Sequence, residues 1–416
     1  MKSRVLFPLL AILFFAWPAA QFAQAGNPSS AVQSVSETPS IASTAPGMTA
    51  KPSSLPGALS VGQIEDRIEE AKRLLKTGAA NLSLDSVRLA ALDRATAQIH
   101  IMTLTKDSFL TRSASMVAVT SLGHQARIYI ARANGVNTAV VITDETNQSP
   151  LIPLVVQYPI VRDGSLKEVG YYTSAHPALL SGELITAGRA YVRSKLDDAA
   201  AGLRAAGVNI TPEIVDIAEH LAIVEHTDHQ RFKSEDRAAL FREVLALYAL
   251  NGGDTYRYSV STAGAGGMIQ MIPSTYDMVR RRHPSVDLKP DFVAGMTDHA
   301  NAATAMLLYM QDTWNDLLRS QEIRDALDSG LATQTELVAA GYNSNPARLA
   351  SYIKRGGDQW RTLIPSETQM YLAIYGSLDG TAVIKTNRPR RTPLRQEVVA
   401  VVNKSPVLAQ LMRLFI

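Results

Sequence analysis

The sequence predicts an α+β protein, with a mostly helical C-terminal half preceded by a smaller mixed α/β domain that carries a short antiparallel sheet. Three observations predict it. Apolar residues recur at helical spacing over most of the chain beyond residue 206. Short β-branched segments bounded by turn residues cluster between 126 and 164. A glycine-rich break interrupts the helical half at 261–267.

The chain opens with Lys2 and Arg4, an apolar run from Val5 to Trp17, and Ala23-Gln24-Ala25 before Gly26, the three-part layout of a secretory signal peptide. The run is shorter than the ~20 residues a spanning helix needs, so residues 1–25 are expected to be cleaved. With no cysteine there is no disulfide, no thiolate metal site and no lipidated cysteine at a mature N-terminus. The expectation is an exported protein of the periplasm or cell envelope, soluble after cleavage. Residues 26–60 are rich in Ser, Thr, Pro and Ala, bury too little to offset ordering, and are expected to be a disordered linker. A formal net charge of +3 slightly favours an anionic polymer, and no nucleic-acid partner is expected.

Residues 61–205 form the first expected domain. Ile64, Ile68, Ala71, Leu74 and Leu75 predict one helix, and Val87, Ala91, Leu92 and Ala95 a second. Strands are expected at 126–132, 138–143 and 151–158, with a hairpin turn at Asp163-Gly164, followed by a long helix from Leu179 to about Ala206. Nothing in this stretch points to chemistry; envelope protein partners are its expected use, or that of the tail. Residues 206–380 form the second domain. Thr211 is placed to cap a helix with Pro212 at its first position. Ile214, Val215, Ile217, Ala218, Leu221, Ala222 and Val224 mark that helix as buried. The 381–416 tail has a basic stretch at Asn387–Arg395 and enough Val, Leu and Ile from Val398 to Ile416 for a terminal docking helix.

The break reads Ser261-Thr262-Ala263-Gly264-Ala265-Gly266-Gly267-Met268-Ile269-Gln270-Met271-Ile272-Pro273-Ser274-Thr275-Tyr276. No Gly-Lys-Ser/Thr ending follows and no apolar strand leads in, which excludes a phosphate loop. Residue by residue the segment resembles the soluble lytic transglycosylase signature S-x-x-G-A-x-G-L-M-Q-x-x-P-x-T. Three more blocks stand in that family's order: Ile214–Glu225 resembles the helix ending in the catalytic glutamate, Ala339–Pro346 (AAGYNSNP) the A-Y-N-x-G-P motif, and Glu367–Tyr371 the E-T-x-x-Y motif. The resemblance covers about 170 residues and none of the N-terminal half.

It implies a lysozyme-like fold, peptidoglycan glycan strands as substrate, and cleavage of the β-linkage between N-acetylmuramic acid and N-acetylglucosamine without a cofactor. Glu225 would be the catalytic acid. Ser261, Gly264, Met268, Gln270, Tyr276, Tyr342 and Asn343 would contact or position the sugar, and Glu367 and Tyr371 would support the cleft floor. The residues argue independently for Glu225: a carboxyl after the apolar run Ala222-Ile223-Val224 is one that keeps its proton near neutral pH, as a donor to a glycosidic oxygen must. The family pattern places its serine about ten residues after the glutamate, whereas Ser261 lies 36 positions after Glu225, so an insertion intervenes. Its helix, Asp236–Leu250, carries an apolar stripe of Leu240, Val244, Leu247 and Leu250, and brings in the rival acid Glu243, 18 positions before Ser261.

Glu225 is favoured because Glu243 sits mid-helix and reads as a solvated charge. A hydrolytic muramidase using Asp228 or Glu243 as second carboxylate, and a non-catalytic peptidoglycan-binding scaffold, are the alternatives. His226 and His229 are three positions apart and could share a helix face, but the spacing is not H-E-x-x-H and no third ligand is specified, so no metal is expected. Histidines beside the acid would make activity sensitive to pH near 6–7. Of the aromatics Tyr256, Tyr258, Tyr276 and Trp360, Tyr258 and Tyr276 are expected near the groove and the others in the core.

Overall fold

The computed structural model describes residues 59–77, 83–162 and 164–381. The expected signal peptide, all but the end of the linker, Asp163 and the basic tail from 382 onward lie outside the described residues.

Helix α1 (Val61–Thr77) buries Ile64, Ile68, Ala71 and Leu75 along one face and lays them on the sheet. The sheet is larger than the short one expected. It has seven strands, β1 (Ser86–Leu92), β2 (Ile99–Thr105), β3 (Ser115–Val119), β4 (Gln125–Arg132), β5 (Ala139–Asp144), β6 (Pro150–Arg162) and β7 (Ser165–Tyr172), with the short helix α2 (Lys106–Phe109) after β2. All pairings are antiparallel, in the order β2-β1-β6-β5-β4-β3, and β7 also pairs with β6. The ends of the order approach each other, since Ser121 N, just past β3, donates to Ile101 O of β2 at 2.8 Å. The sheet is therefore nearly a barrel.

The helix expected from Val87, Ala91, Leu92 and Ala95 is instead β1 and the turn after it. β1 is hydrogen-bonded on both edges, and Ala90, Ala91 and Leu92 are all buried. A strand covered on both faces loses the period-two signal and leaves an Ala/Leu run that matches helical spacing by accident. β4 alternates strictly between exposed and buried residues, which is why it was readable.

Helix α3 (Gly182–Ala205) is capped by Ser181, whose hydroxyl accepts from Leu184 N at 3.1 Å. The rest is helical: α4 (Pro212–Val224), α5 (His229–Ser234), α6 (Arg237–Asn251), α7 (Pro273–Arg282), α8 (Phe292–Thr297), α9 (His299–Leu317), α10 (Gln321–Asp328), α11 (Gln334–Asn343), α12 (Leu349–Gly356), α13 (Trp360–Leu363) and α14 (Ser366–Asp379). Thr211 occupies the N-cap of α4, but its hydroxyl accepts nothing from the helix; its backbone N–H donates to Gln311 Oε1 at 3.0 Å.

The chain on either side of Ala206 shares one core. Val87 and Ile128 of the sheet, Val192 of α3, Ile214 of α4, Leu245 of α6 and Ile374 of α14 belong to the same buried cluster. Gly188 makes this possible, because a Cβ there would collide with the Leu245 carbonyl, and its absence lets α3 lie against α6. Buried Glu219 of α4 is matched by Arg189 and Arg193 of α3. Removing Arg193 would leave a buried carboxylate short of a partner, a change that costs about 3–5 kcal/mol when a pair is broken. Among the described residues no helix is long and apolar enough to cross a membrane.

Candidate active site

Glu225 stands at the C-terminal end of α4, a helix in which every residue from Ile217 to Val224 is buried. The helix's last carbonyls are satisfied from inside the protein: Thr227 Oγ1 donates to Ile223 O at 2.9 Å and Tyr248 Oη of α6 to Ala222 O at 3.0 Å. Tyr371 of α14 donates its hydroxyl to Glu225 Oε1 at 2.7 Å. Among the described residues nothing hydrogen-bonds the other carboxyl oxygen. Burial pushes the Glu225 carboxyl up to about 8; the Tyr371 hydroxyl opposes this and the charge of Glu367, one turn earlier on α14, adds to it. At neutral pH this glutamic acid holds a proton and has an oxygen free to deliver it.

The glycine-rich segment is a clamped loop beside α4. Ser261 N donates to Ala265 O at 2.9 Å and Ser261 Oγ accepts from Ala265 N at 3.0 Å, closing a turn in which Gly264 has φ +77°. Gly267 has φ +68° and packs so closely on Met296 that a Cβ would strike the Met296 carbonyl. After a single 3-10 turn, Gly267–Ile269, Gln270 adopts a left-handed backbone with φ 46°, and α7 begins at Pro273. Two carbonyls of this turn are held by other elements. Tyr342 of α11 donates to Ile269 O at 2.7 Å, and His226 Nε2 lies 3.0 Å from Met268 O, so that nitrogen carries the proton. The His226 ring lies flat on Tyr256, with centroids 3.3 Å apart and planes at 2°. Burial pushes His226 down to about 3, which removes it as a source of pH sensitivity near 6–7.

A cleft of about 540 Å³ opens beside Glu225. Glu225, His226, Asp228, Tyr256, Tyr258 and Ser259 line it from the helical half. The opposite wall comes from the sheet: Arg132 at the end of β4, the turn Asn134–Asn137, and Tyr158 and Arg162 of β6. Glu243 of α6 also faces this cleft, but it is not the solvated charge expected. Arg231 grips both its oxygens, at 2.8 and 2.9 Å, and Arg132 stands 3.6 Å away. No family model, curated protein or solved structure matches the chain.

Of the residues singled out from the sequence, Glu225, His226, Asp228, Glu243, Tyr256 and Tyr258 line the cleft. Gln270 reaches its edge through Ser259, donating from Nε2 to Ser259 Oγ at 3.3 Å and to Gly267 O at 2.9 Å. Tyr371 acts on Glu225 by hydrogen bond and Glu367 by charge, while the Glu225 charge in turn bears on the Tyr342 hydroxyl. Asn343 accepts from Thr368 Oγ1 at 2.8 Å and ties α11 to α14. Ser261 and Gly264 shape the loop rather than line the cleft. The Met268 side chain is fully buried, and only its carbonyl meets the site.

Tyr276 is a correction: its ring is fully buried and its hydroxyl joins Lys289 O at 2.8 Å and Asn301 Nδ2 at 2.9 Å, away from the cleft. Tyr256, expected in the core, is buried yet lines the cleft. Among the described residues no three His, Asp or Glu side chains group as metal ligands would. The sheet wall was missed altogether. No local pattern marks Arg132 or Asn137; only tertiary packing brings them opposite an acid some 90 residues later.

Proposed function

We propose that the protein is an exported lytic transglycosylase that cleaves peptidoglycan glycan strands, with Glu225 as its single acid/base. The observation that carries this reading is a carboxyl at the end of an apolar helix, raised to about 8 by burial, hydrogen-bonded by Tyr371 and lining a cleft of about 540 Å³. Four ordered motifs resemble those of the soluble lytic transglycosylases, and in that resemblance Glu225 holds the place of the catalytic glutamate.

In the proposed reaction the Glu225 proton passes to the glycosidic oxygen as the bond from the muramoyl C1 breaks. The substrate's own acetamido group stabilises positive charge at C1. The Glu225 carboxylate then takes the proton of the muramoyl C6 hydroxyl as O6 bonds to C1, closing a 1,6-anhydro ring and restoring the acid. No water is consumed. Gln270, Tyr342 and the loop they hold would form the sugar-facing edge, and the sheet would offer the surface for envelope partners as well as the second wall.

A hydrolytic muramidase would need a second carboxylate as base or nucleophile. Both candidates are engaged: Glu243 by Arg231, and Asp228 as the cap of α5, accepting from Gln230 N and Arg231 N at 2.8 and 2.9 Å. Digestion of purified sacculi followed by mass spectrometry tests the proposal. Anhydromuramoyl ends are expected; reducing ends would point to hydrolysis, and no release at all to a non-catalytic binding protein.

A further inference from the structure

The hydrogen bond from Tyr371 to Glu225 forms only while α14 lies at one distance from α4. At 2.7 Å it is close, and by about 3.6 Å it would no longer be a hydrogen bond, so a slip of about 1 Å loses it. One turn further along α14, on the same face as Tyr371, stands Tyr375. Its ring stacks on His220 of α4, with centroids 4.9 Å apart and planes at 18°. Both side chains are buried, Tyr375 at 8% exposure and His220 at 3%.

A histidine is a costly residue at that place. Its Nδ1 lies 2.9 Å from Asp216 O, a carbonyl that only accepts, so Nδ1 carries a proton. Its Nε2 is buried without a hydrogen-bond partner, 3.5 Å from Asp379 Oδ1. A leucine would fill an apolar contact between two helices and leave no polar atom unpaired. It would not supply a flat ring, whose stacking has a preferred geometry. The proposed acid/base chemistry makes no use of His220.

The rest of α14 is held against α11. Thr368 Oγ1 donates to Asn343 Oδ1 at 2.8 Å, and the Tyr375 hydroxyl is met by the Thr335 side chain. Against α4, the stack and the Tyr371 hydrogen bond are the two side-chain rungs, and only the second touches the acid.

We propose that His220 and Tyr375 are positioning residues, whose stacked rings hold α14 at the spacing from α4 at which the Tyr371 hydroxyl reaches Glu225. This role rests on Glu225 being the acid of the proposed reaction, yet the carboxyl itself reports it.

The test is the titration midpoint of the Glu225 carboxyl, read by ¹³C NMR in the full chain, alongside glycan release from sacculi. The titratable side chains that bear on Glu225 are Tyr371 and Glu367 from α14, Tyr342 from α11 and Tyr248 from α6. Asp379, Asp216 and Glu219 bear on Tyr375. Tyr371 favours the carboxylate, so loss of its bond moves the midpoint upward from about 8. Tyr375→Leu, which removes the ring and keeps the site apolar, is expected to raise the midpoint by about one pH unit or less, as Tyr371→Phe does. In the Tyr371→Phe background it should raise it no further, because both changes act through one hydrogen bond. Tyr375→Phe keeps the stack and should restore the wild-type midpoint. His220→Leu removes the stack from the α4 side with the same expected shift, and takes the place of Tyr375→Leu should that variant not fold.

A midpoint unmoved by Tyr375→Leu or His220→Leu, in protein whose circular dichroism is unchanged, overturns the positioning role. So does a shift that adds in full to that of Tyr371→Phe. Release separates the two claims: an active wild type with an unmoved midpoint in the variants sinks the positioning role alone, and a moved midpoint in a protein that releases nothing sinks the reaction alone.

Discussion

Glu225 and Glu243 line one cleft from two regions of the helical half, the first at the end of apolar α4 and the second on α6 beside the sheet. Glu225 meets a neutral tyrosine hydroxyl and the like charge of Glu367, and burial makes its ionised form costly. Glu243 meets two guanidinium groups and gives both oxygens to one of them. The same side chain is thus set up as a proton donor in one region and as a fixed charge in the other. The comparison teaches that residue type and cleft position do not assign the acid; the neighbours within hydrogen-bond reach do.

Three substitutions break or sharpen that contrast. The largest effect is expected for Glu225→Gln, which keeps the shape and removes the transferable proton; glycan release from sacculi should fall by about 10²–10⁴-fold. Glu243→Gln should leave release within about tenfold of wild type, since it loosens a partly exposed ion pair and takes no proton from the reaction. A loss matching that of Glu225→Gln would exchange the roles of the two glutamates. The smallest effect is on pH dependence. Release should decline as pH rises through about 8, where Glu225 gives up its proton. Tyr371→Phe deletes the hydrogen bond that favours the carboxylate, so the alkaline limb of the rate profile should move upward, by about one pH unit or less. A downward move would mean that Tyr371 does not act on Glu225 as placed.

The sequence made the one-sided elements legible. The apolar face of α1, the alternation of β4 and the buried run of α4 each carry their period in plain view, and Glu225 could be picked out because it ends such a run. β1 was misread because burial on both faces erased its period. Tyr276 and Tyr258 look alike as sequence, and only packing puts the first in the core and the second on the cleft. Arg132 and Asn137 gave no signal at all. Tyr371, 146 positions from Glu225, was reachable only through its resemblance motif, since no local pattern reports a hydrogen bond across that separation.

The most direct measurement is the titration of the Glu225 side-chain carboxyl by ¹³C NMR in the full chain, its resonance assigned by its loss in Glu225→Gln. Burial with the Tyr371 hydroxyl as hydrogen-bond partner predicts a midpoint near 8, with release declining over the same range. A midpoint near 4.5, the ordinary value for a glutamate, with glycan release still active at neutral pH, would contradict the assignment of Glu225 as the proton donor.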